Sequence, residues 1–374
     1  MPPLSDPIAP PARLASLDAF RGLTIAAMIL VNNPGDWLCA YWPLLHVKWH
    51  GWTPTDLIFP FFLFMVGMSL SFSRRVEFGP ALVRAAKLVG LGLFLNLYPY
   101  FAFAELRLPG VLQRIGICYL AAFAVKRWLR PRGQAVLVAV LLVGYWVLMT
   151  QVTGPEGHPP NLEMETNLAA QLDRLLLGSH VWASAGTWDP EGVLSTLPAI
   201  ATTVLGLLVG GWVRAGREPF STTRGLLLGG LGLTALGVLW AEAAPAWLAF
   251  PINKSIWTPP FVLLTGGLAA ASFGLLYWIV DVAGWRSWAR PFGTYGKNAI
   301  AVYVGSGLLA DTLDAIRWAG ANGVETSLGE WLYQALFASW LPCSEASLAW
   351  ALSMVFLFYL VAFWMDRRGV YLKV

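Results

Sequence analysis

The chain has 374 residues, 57% of them hydrophobic and only 12% charged, with 20 tryptophans and a mean hydropathy of +0.60. That composition excludes an ordinary soluble globular domain and identifies an integral membrane protein. The net charge of +4 is carried by cations that sort by loop, so it reports orientation in a bilayer rather than a nucleic-acid partner.

Residues 1–13 read as a Pro-rich polar leader, without the cleavage pattern of a removable signal peptide. A helix needs about 20 apolar residues to cross a bilayer. The segments that qualify are 20–38, 56–73, 82–99, 109–125, 134–150, 192–213, 224–241, 259–280, 295–310 and 346–365. The expected fold is therefore all-α, a polytopic membrane bundle of about ten transmembrane helices forming one domain over 1–374. Placing the N-terminus inside puts 19 of the 25 basic residues on inner segments, among them Arg74, Arg75, Arg84, Lys87, Lys126, Arg127, Arg214, Arg224, Lys297 and Arg367. The positive-inside rule then predicts that both termini are cytoplasmic.

Three outer connections are long: 39–55, 151–191 and 311–345. In the second, "NLAAQLDRLLLG" predicts a surface helix with Leu168, Leu172, Leu175 and Leu176 on one face. The third has similar spacing around "ETSLGEWLYQALFASWL". Glycine-rich stretches such as "GLLLGGLGLTALG" are read as close helix packing. Cys39, Cys118 and Cys343 are far apart and form no CxxC, so neither a structural disulfide set nor a thiolate metal site is expected.

The chemistry gathers near the outer ends of the helices. "HVKWHGWTPTDL" sets His46, Lys48 and His50 ahead of Asp56, which stands at the outer end of the second helix. His46 and His50 are four apart, a spacing that could hold a metal on a helix, but no third ligand is evident and no metal is expected. The first helix ends in "VNNPGDW", offering Asn32 and Asn33; "GVLQRIG" buries Gln113 and Arg114 within an apolar run; "FPINKSIWTPP" brings Asn253 and Lys254 to the mouth of the eighth helix. Ionisable groups at such depths are costly unless they line a cavity, which makes them candidate site residues. A buried structural network involving Asp56, Gln113 and Arg114 is the bland alternative. Near the inner ends, Arg21 with Lys297 and Asn298 of "GTYGKNAIAVY" would suit a phosphate-bearing ligand.

Six blocks, in order, carry a resemblance to a known family: "SLDAFRGLTIAAMILVNNPG", "HVKWHGWTPTDLIFPFFLFMVGMSL", "GVLQRIGICY", "WDPEGVLSTLPAI", "PINKSIWTPPFVLLTGG" and "GKNAIAVYVG". The chain resembles the catalytic membrane domain of the heparan-α-glucosaminide N-acetyltransferase family and its bacterial relatives, within the transmembrane acyltransferase superfamily. The resemblance implies transfer of an acetyl group from cytosolic acetyl-CoA to an amino sugar across the membrane, a bacterial inner-membrane location and a homodimer. It also implies that His46 is the functional histidine, that Asn32 stands beside it, and that His50 is not catalytic. His46 would act as a general base or become acetylated itself, with Asn32 donating to the oxyanion. The acceptor, and whether its attacking atom is nitrogen or oxygen, stay open, because the 151–191 and 311–345 loops match nothing in the family. A transporter of a small polar or sugar-like solute and an assembly protein indifferent to loss of His46 are the competing readings.

Overall fold

The computed structural model describes residues 14–73, 77–319 and 325–372. The leader 1–13 and the cations Arg13, Arg74, Arg75 and Lys373 lie outside the described residues. The helices are α1 (Ala15–Asn32), α2 (Ile58–Phe72), α3 (Phe78–Leu97), α4 (Val111–Trp128), α5 (Pro131–Gln151), α6 (Leu168–Leu177) and α7 (Thr196–Arg214). They continue as α8 (Pro219–Glu242), α9 (Pro259–Leu276), α10 (Arg290–Lys297), α11 (Ala299–Ala315), α12 (Leu328–Tyr333) and α13 (Cys343–Arg367).

Every segment expected to cross the membrane contains a helix, and among the described residues eight helical stretches are long and apolar enough to do so by themselves. The other two fall short for visible reasons. α4 carries Arg114, Lys126 and Arg127, and α11 has only 17 residues because the chain leaves helical geometry at Asn298. α1 stops at Asn32 rather than running to 38, since Asn33 turns its amide back onto the Ile29 carbonyl and Pro34 follows.

The bundle is tightened where α2 crosses α7. Gly67 lies against the Thr203 carbonyl and Gly206 against the Phe64 carbonyl, so a β-carbon at either position would collide with backbone. Around that crossing, Leu63, Phe64, Met65, Met68, Val204 and Phe261 form the centre of the core. At one end of the bundle, cations complete helix ends: Lys126 Nζ donates to the Leu70 and Ser73 carbonyls, and Arg214 to that of Ser71. The start of α1 and the end of α13 lie at this same basic end. The Ala15 and Ser16 amides donate to Asp281, Arg21 reaches the Gly296 carbonyl, and Lys297 pairs with Asp366.

The opposite end departs from the sequence reading in three ways. Cys39 and Cys343 form a disulfide with Cα atoms 5.6 Å apart, correcting the expectation of none. A sequence separation of 304 hides a pair that folding brings together, because α1 ends and α13 begins at this end. A two-stranded antiparallel hairpin, β1 (Arg317–Ala319) with β2 (Glu325–Ser327), interrupts the all-α pattern ahead of α12. α6 forms in the expected place with Asn167 as its N-cap, but it buries Leu168, Ala169, Ala170, Gln171 and Asp173 and leaves Leu175 and Leu176 exposed.

Candidate active site

The loop between α1 and α2 is wound around one carboxylate. Thr53 and Asp56 form a reciprocal capping box with Pro54 at the first helical position. Asp56 Oδ2 accepts from the Thr53 amide at 2.8 Å, the Thr53 hydroxyl at 3.1 Å and the Val47 amide at 3.2 Å. Its other oxygen, Oδ1, lies 2.7 Å from His46 Nδ1. Asp56 is wholly buried, while the His46 side chain remains 46% exposed.

A second segment, between α8 and α9, closes on this loop. Gly51, at φ +97°, donates its amide to the Ile252 carbonyl at 2.8 Å; few side chains tolerate that backbone angle. The fully buried Asn253 folds its own turn by accepting from the Ile256 amide, and its amide nitrogen lies 3.3 Å from His50 Nδ1. Trp257, also in left-handed geometry at φ +52°, is held between Phe59 and Phe261 with its indole N–H on Thr202. This turn delivers Lys254 to the histidine. Its Nζ lies 2.9 Å from His46 Nδ1, 3.3 Å from Nε2 and 3.6 Å from Asp56 Oδ1.

The tautomer follows from the donor inventory. A carboxylate only accepts, and Nδ1 has one in-plane direction. The 2.7 Å contact with Asp56 therefore places the proton on Nδ1 and leaves Nε2 unprotonated, while Lys254 Nζ lies nearer to Nδ1 than to Nε2. Burial lowers the Lys254 ammonium below its ordinary range, with Asp56 pulling in the opposite direction. Burial likewise lowers His50, against a smaller opposing pull from Glu163.

Other site candidates are placed differently. Arg114 is 1% exposed, donates to the Gly192 carbonyl and Ser195 Oγ, and lies over the Trp257 ring. Its Nε and Nη1 have no partner among the described residues. Gln113 is buried against Gly92 and Gly110 and reaches the Pro109 carbonyl. Asn32 is exposed at the end of α1, with no hydrogen bond to His46 among the described residues. Asn298 is buried and binds backbone at Val370 and Leu372, tying the C-terminal segment to the start of α11.

At the basic end, a cavity of about 530 Å³ opens between α1, α2, α3, α4 and α10. Arg21 and Lys297 line it, joined by Arg84 and Lys87, which sequence reasoning assigned only to the inner loops. Their signal was present in register: Pro80, Val83, Arg84, Lys87 and Leu88 share one helical face of α3. Arg21 also binds Asp18, Ser69 Oγ and the Gly296 carbonyl. Arg84 lies over the Tyr119 ring, and its buried Nε has no partner among the described residues. Deeper in, Phe62, Met65, Leu88 and Ile115 make an apolar throat.

A polar brace missed by sequence reasoning anchors the 151–191 loop. Arg107 makes a two-pronged bond to Asp189, at 2.8 and 2.6 Å, and also reaches Glu191. Asp173 receives the Asp189 and Val193 amides while burial raises its carboxyl to about 6.

The family model described as heparan-alpha-glucosaminide N-acetyltransferase, catalytic, matches residues 13–169, which include the His46 loop, Asp56, α3 and α4. The human heparan-alpha-glucosaminide N-acetyltransferase is 27% identical over 364 aligned positions, covering 79% of this chain and 53% of the human protein. The mouse protein of the same name is 26% identical over 358 positions, covering 79% and 54%. The chain thus spans about half the length of the curated relatives it matches. The chain is thus similar to the heparan-alpha-glucosaminide N-acetyltransferases along most of its own length, with the match to the catalytic family model confined to its first part.

Proposed function

We propose that this protein is a membrane acetyltransferase that takes the acetyl group of acetyl-CoA at the basic end and delivers it to an amino sugar at the His46 end. The observation that carries this reading is the pairing, on α2 and the turn preceding it, of a cation-lined cavity with a histidine–carboxylate couple. Ser69 lines the cavity mouth beside Arg21, and Asp56 holds His46 13 residues earlier. At 1.5 Å per helical residue the two levels are separated by about 20 Å, a distance suited to an extended phosphopantetheine arm. The orphaned Arg84 Nε, with Arg21, Lys87 and Lys297, fits phosphate groups, while the apolar throat fits the arm.

The basic end faces the cytoplasm in this reading. Cations collect there, and the Cys39–Cys343 disulfide at the other end suits an oxidising compartment. Acetyl-CoA supplies a thioester carbonyl as the electrophile. His46 Nε2 removes the proton from the attacking sugar amine, while Asp56, bonded to Nδ1–H, holds the ring and stabilises the imidazolium that forms. Lys254 Nζ is the donor for the oxygen on which negative charge develops, a role that the resemblance implied for Asn32. The carbon–sulfur bond then breaks, and the thiolate leaves with the proton held by His46. An amino sugar is the acceptor class because the name of the human and mouse relatives specifies glucosaminide N-acetylation.

The test is CoA release by detergent-purified protein, wild type beside His46→Ala, with acetyl-CoA and either glucosamine or N-acetylglucosamine. Glucosamine-stimulated release that disappears in His46→Ala, with acetyl-CoA binding retained, is the expected result. Equal release from both proteins across a panel of amino sugars would overturn the reading.

A further inference from the structure

The two helices that pack most closely late in the chain, α8 and α9, leave a groove of about 290 Å³ on their outward side. Phe220, Thr223, Arg224, Leu227 and Leu228 recur at helical spacing along one face of α8, and Leu275 and Trp278 line the groove from α9 and the π-turn that continues it. Phe220, Leu228, Leu275 and Trp278 are all exposed, as befits a surface whose solvent is hydrocarbon. Trp278 meets Phe220 edge-on at 6.1 Å, an aromatic pair of the kind that marks a bilayer boundary.

Arg224 is the anomaly. It stands five residues inside α8, about 7 Å beyond the helix start at 1.5 Å per residue, within a stretch apolar enough to cross a membrane. It has no hydrogen bond, ion pair or stacked ring among the described residues. The nearby Glu218 is already committed to the Phe220 and Ser221 amides. A second cation stands close by: Arg217 lies 3.7 Å over the Trp212 ring, whose far edge lies against Gly225. A guanidinium this close to the membrane boundary attracts lipid phosphate, and the protein supplies an apolar groove beside it.

We propose that this groove holds one anionic glycerophospholipid, its phosphate on Arg224 and one acyl chain along Leu227, Leu228 and Leu275. Two arginines, with the Glu218 carboxylate already bound to the Phe220 and Ser221 amides, favour a headgroup of net charge −1 over a zwitterionic one, whose own cation would face Arg217 and Arg224. The site shares no residue with the cavity between α1 and α4. It requires only that α8 and α9 lie in a bilayer, so it stands or falls independently of the acetyltransferase reading.

The experiment is native mass spectrometry of the detergent-purified chain after addition of phosphatidylglycerol or phosphatidylcholine. Wild type, Arg224→Gln and the groove-filling Leu228→Trp are compared, with melting temperatures recorded alongside. Wild type is expected to retain one phosphatidylglycerol in preference to phosphatidylcholine, and Arg224→Gln to retain it about fivefold less. Leu228→Trp should lose it while leaving the charge intact. Equal retention of the two lipids, or of phosphatidylglycerol by wild type and Arg224→Gln, overturns the site. Loss in Arg224→Gln with normal retention in Leu228→Trp overturns the groove as well, leaving surface charge alone.

Discussion

Replacing Asp56 by Asn removes one charge and little volume, yet it touches the hydrogen bonds that wind the His46 loop around this carboxylate. In the native chain the carboxylate accepts from the Val47 amide, the Thr53 amide, the Thr53 hydroxyl and His46 Nδ1, and lies 3.6 Å from Lys254. Asn keeps one acceptor oxygen, enough for part of the capping box, but its NH₂ group would face either His46 or Lys254. Facing His46, it would donate to Nδ1 and move the imidazole proton to Nε2, the nitrogen required as base. General-base catalysis is typically worth 10²–10⁴-fold, so turnover should fall by about 10³-fold. Lys254 also loses the only carboxylate within salt-bridge distance among the described residues; stranding one partner of a buried pair costs about 3–5 kcal/mol in full burial. Lys254 keeps 16% of its side chain exposed, which puts the expected loss at the lower end of that range. The assay is steady-state CoA release with glucosamine, with acetyl-CoA affinity and melting temperature measured on the same samples. The expected pattern is collapsed kcat, nearly unchanged acetyl-CoA affinity and a lowered melting temperature. A folded Asp56→Asn protein turning over within threefold of wild type would refute the claim that this carboxylate sets the tautomer.

Three further outcomes follow from the geometry. Arg84→Gln and Lys87→Gln should each weaken CoA binding about fivefold, less at high salt, when titrated calorimetrically, since each removes a cation from the cavity mouth. Cys39→Ser, or mild reductant, should lower stability by about 2–4 kcal/mol and reduce activity by loosening the segment that leads to His46; mass mapping of alkylated thiols would report the bond directly. Asp173 has an ordinary carboxyl value of 3.8 that burial raises to about 6 in the folded chain. The folded state therefore binds the proton more tightly, and this group's stabilising contribution falls as pH rises from about 4 through 6. Melting temperatures across that window should decline in wild type and flatten in Asp173→Asn.

Local chemistry carried much of this architecture. A span declares itself by consecutive apolar residues, so the helices were legible from composition alone, and Thr53, Pro54 and Asp56 announce their turn within four residues. Ionisable residues inside apolar runs likewise stood out because burying them is expensive wherever the chain folds. Arg84 and Lys87 read only as inner-face cations for the opposite reason: a cation near a basic helix end is ordinary, and only the packing of α1, α2, α4 and α10 around it makes a cavity wall. Asn298 drew notice beside Lys297, yet its partners Val370 and Leu372 lie on the far end of the chain.

Hydropathy and spacing, which act over a few residues, determined that this chain is a helical membrane protein and which of its polar groups were costly to bury. Tertiary structure alone decided which of those groups meet. Lys254 reaches His46 across 208 residues, and Cys39 reaches Cys343 across 304. Neither contact leaves a periodic trace, because each depends on which helices pack side by side: α1 beside α13 for the cysteines, and α2 beside α9 for His46 and Lys254.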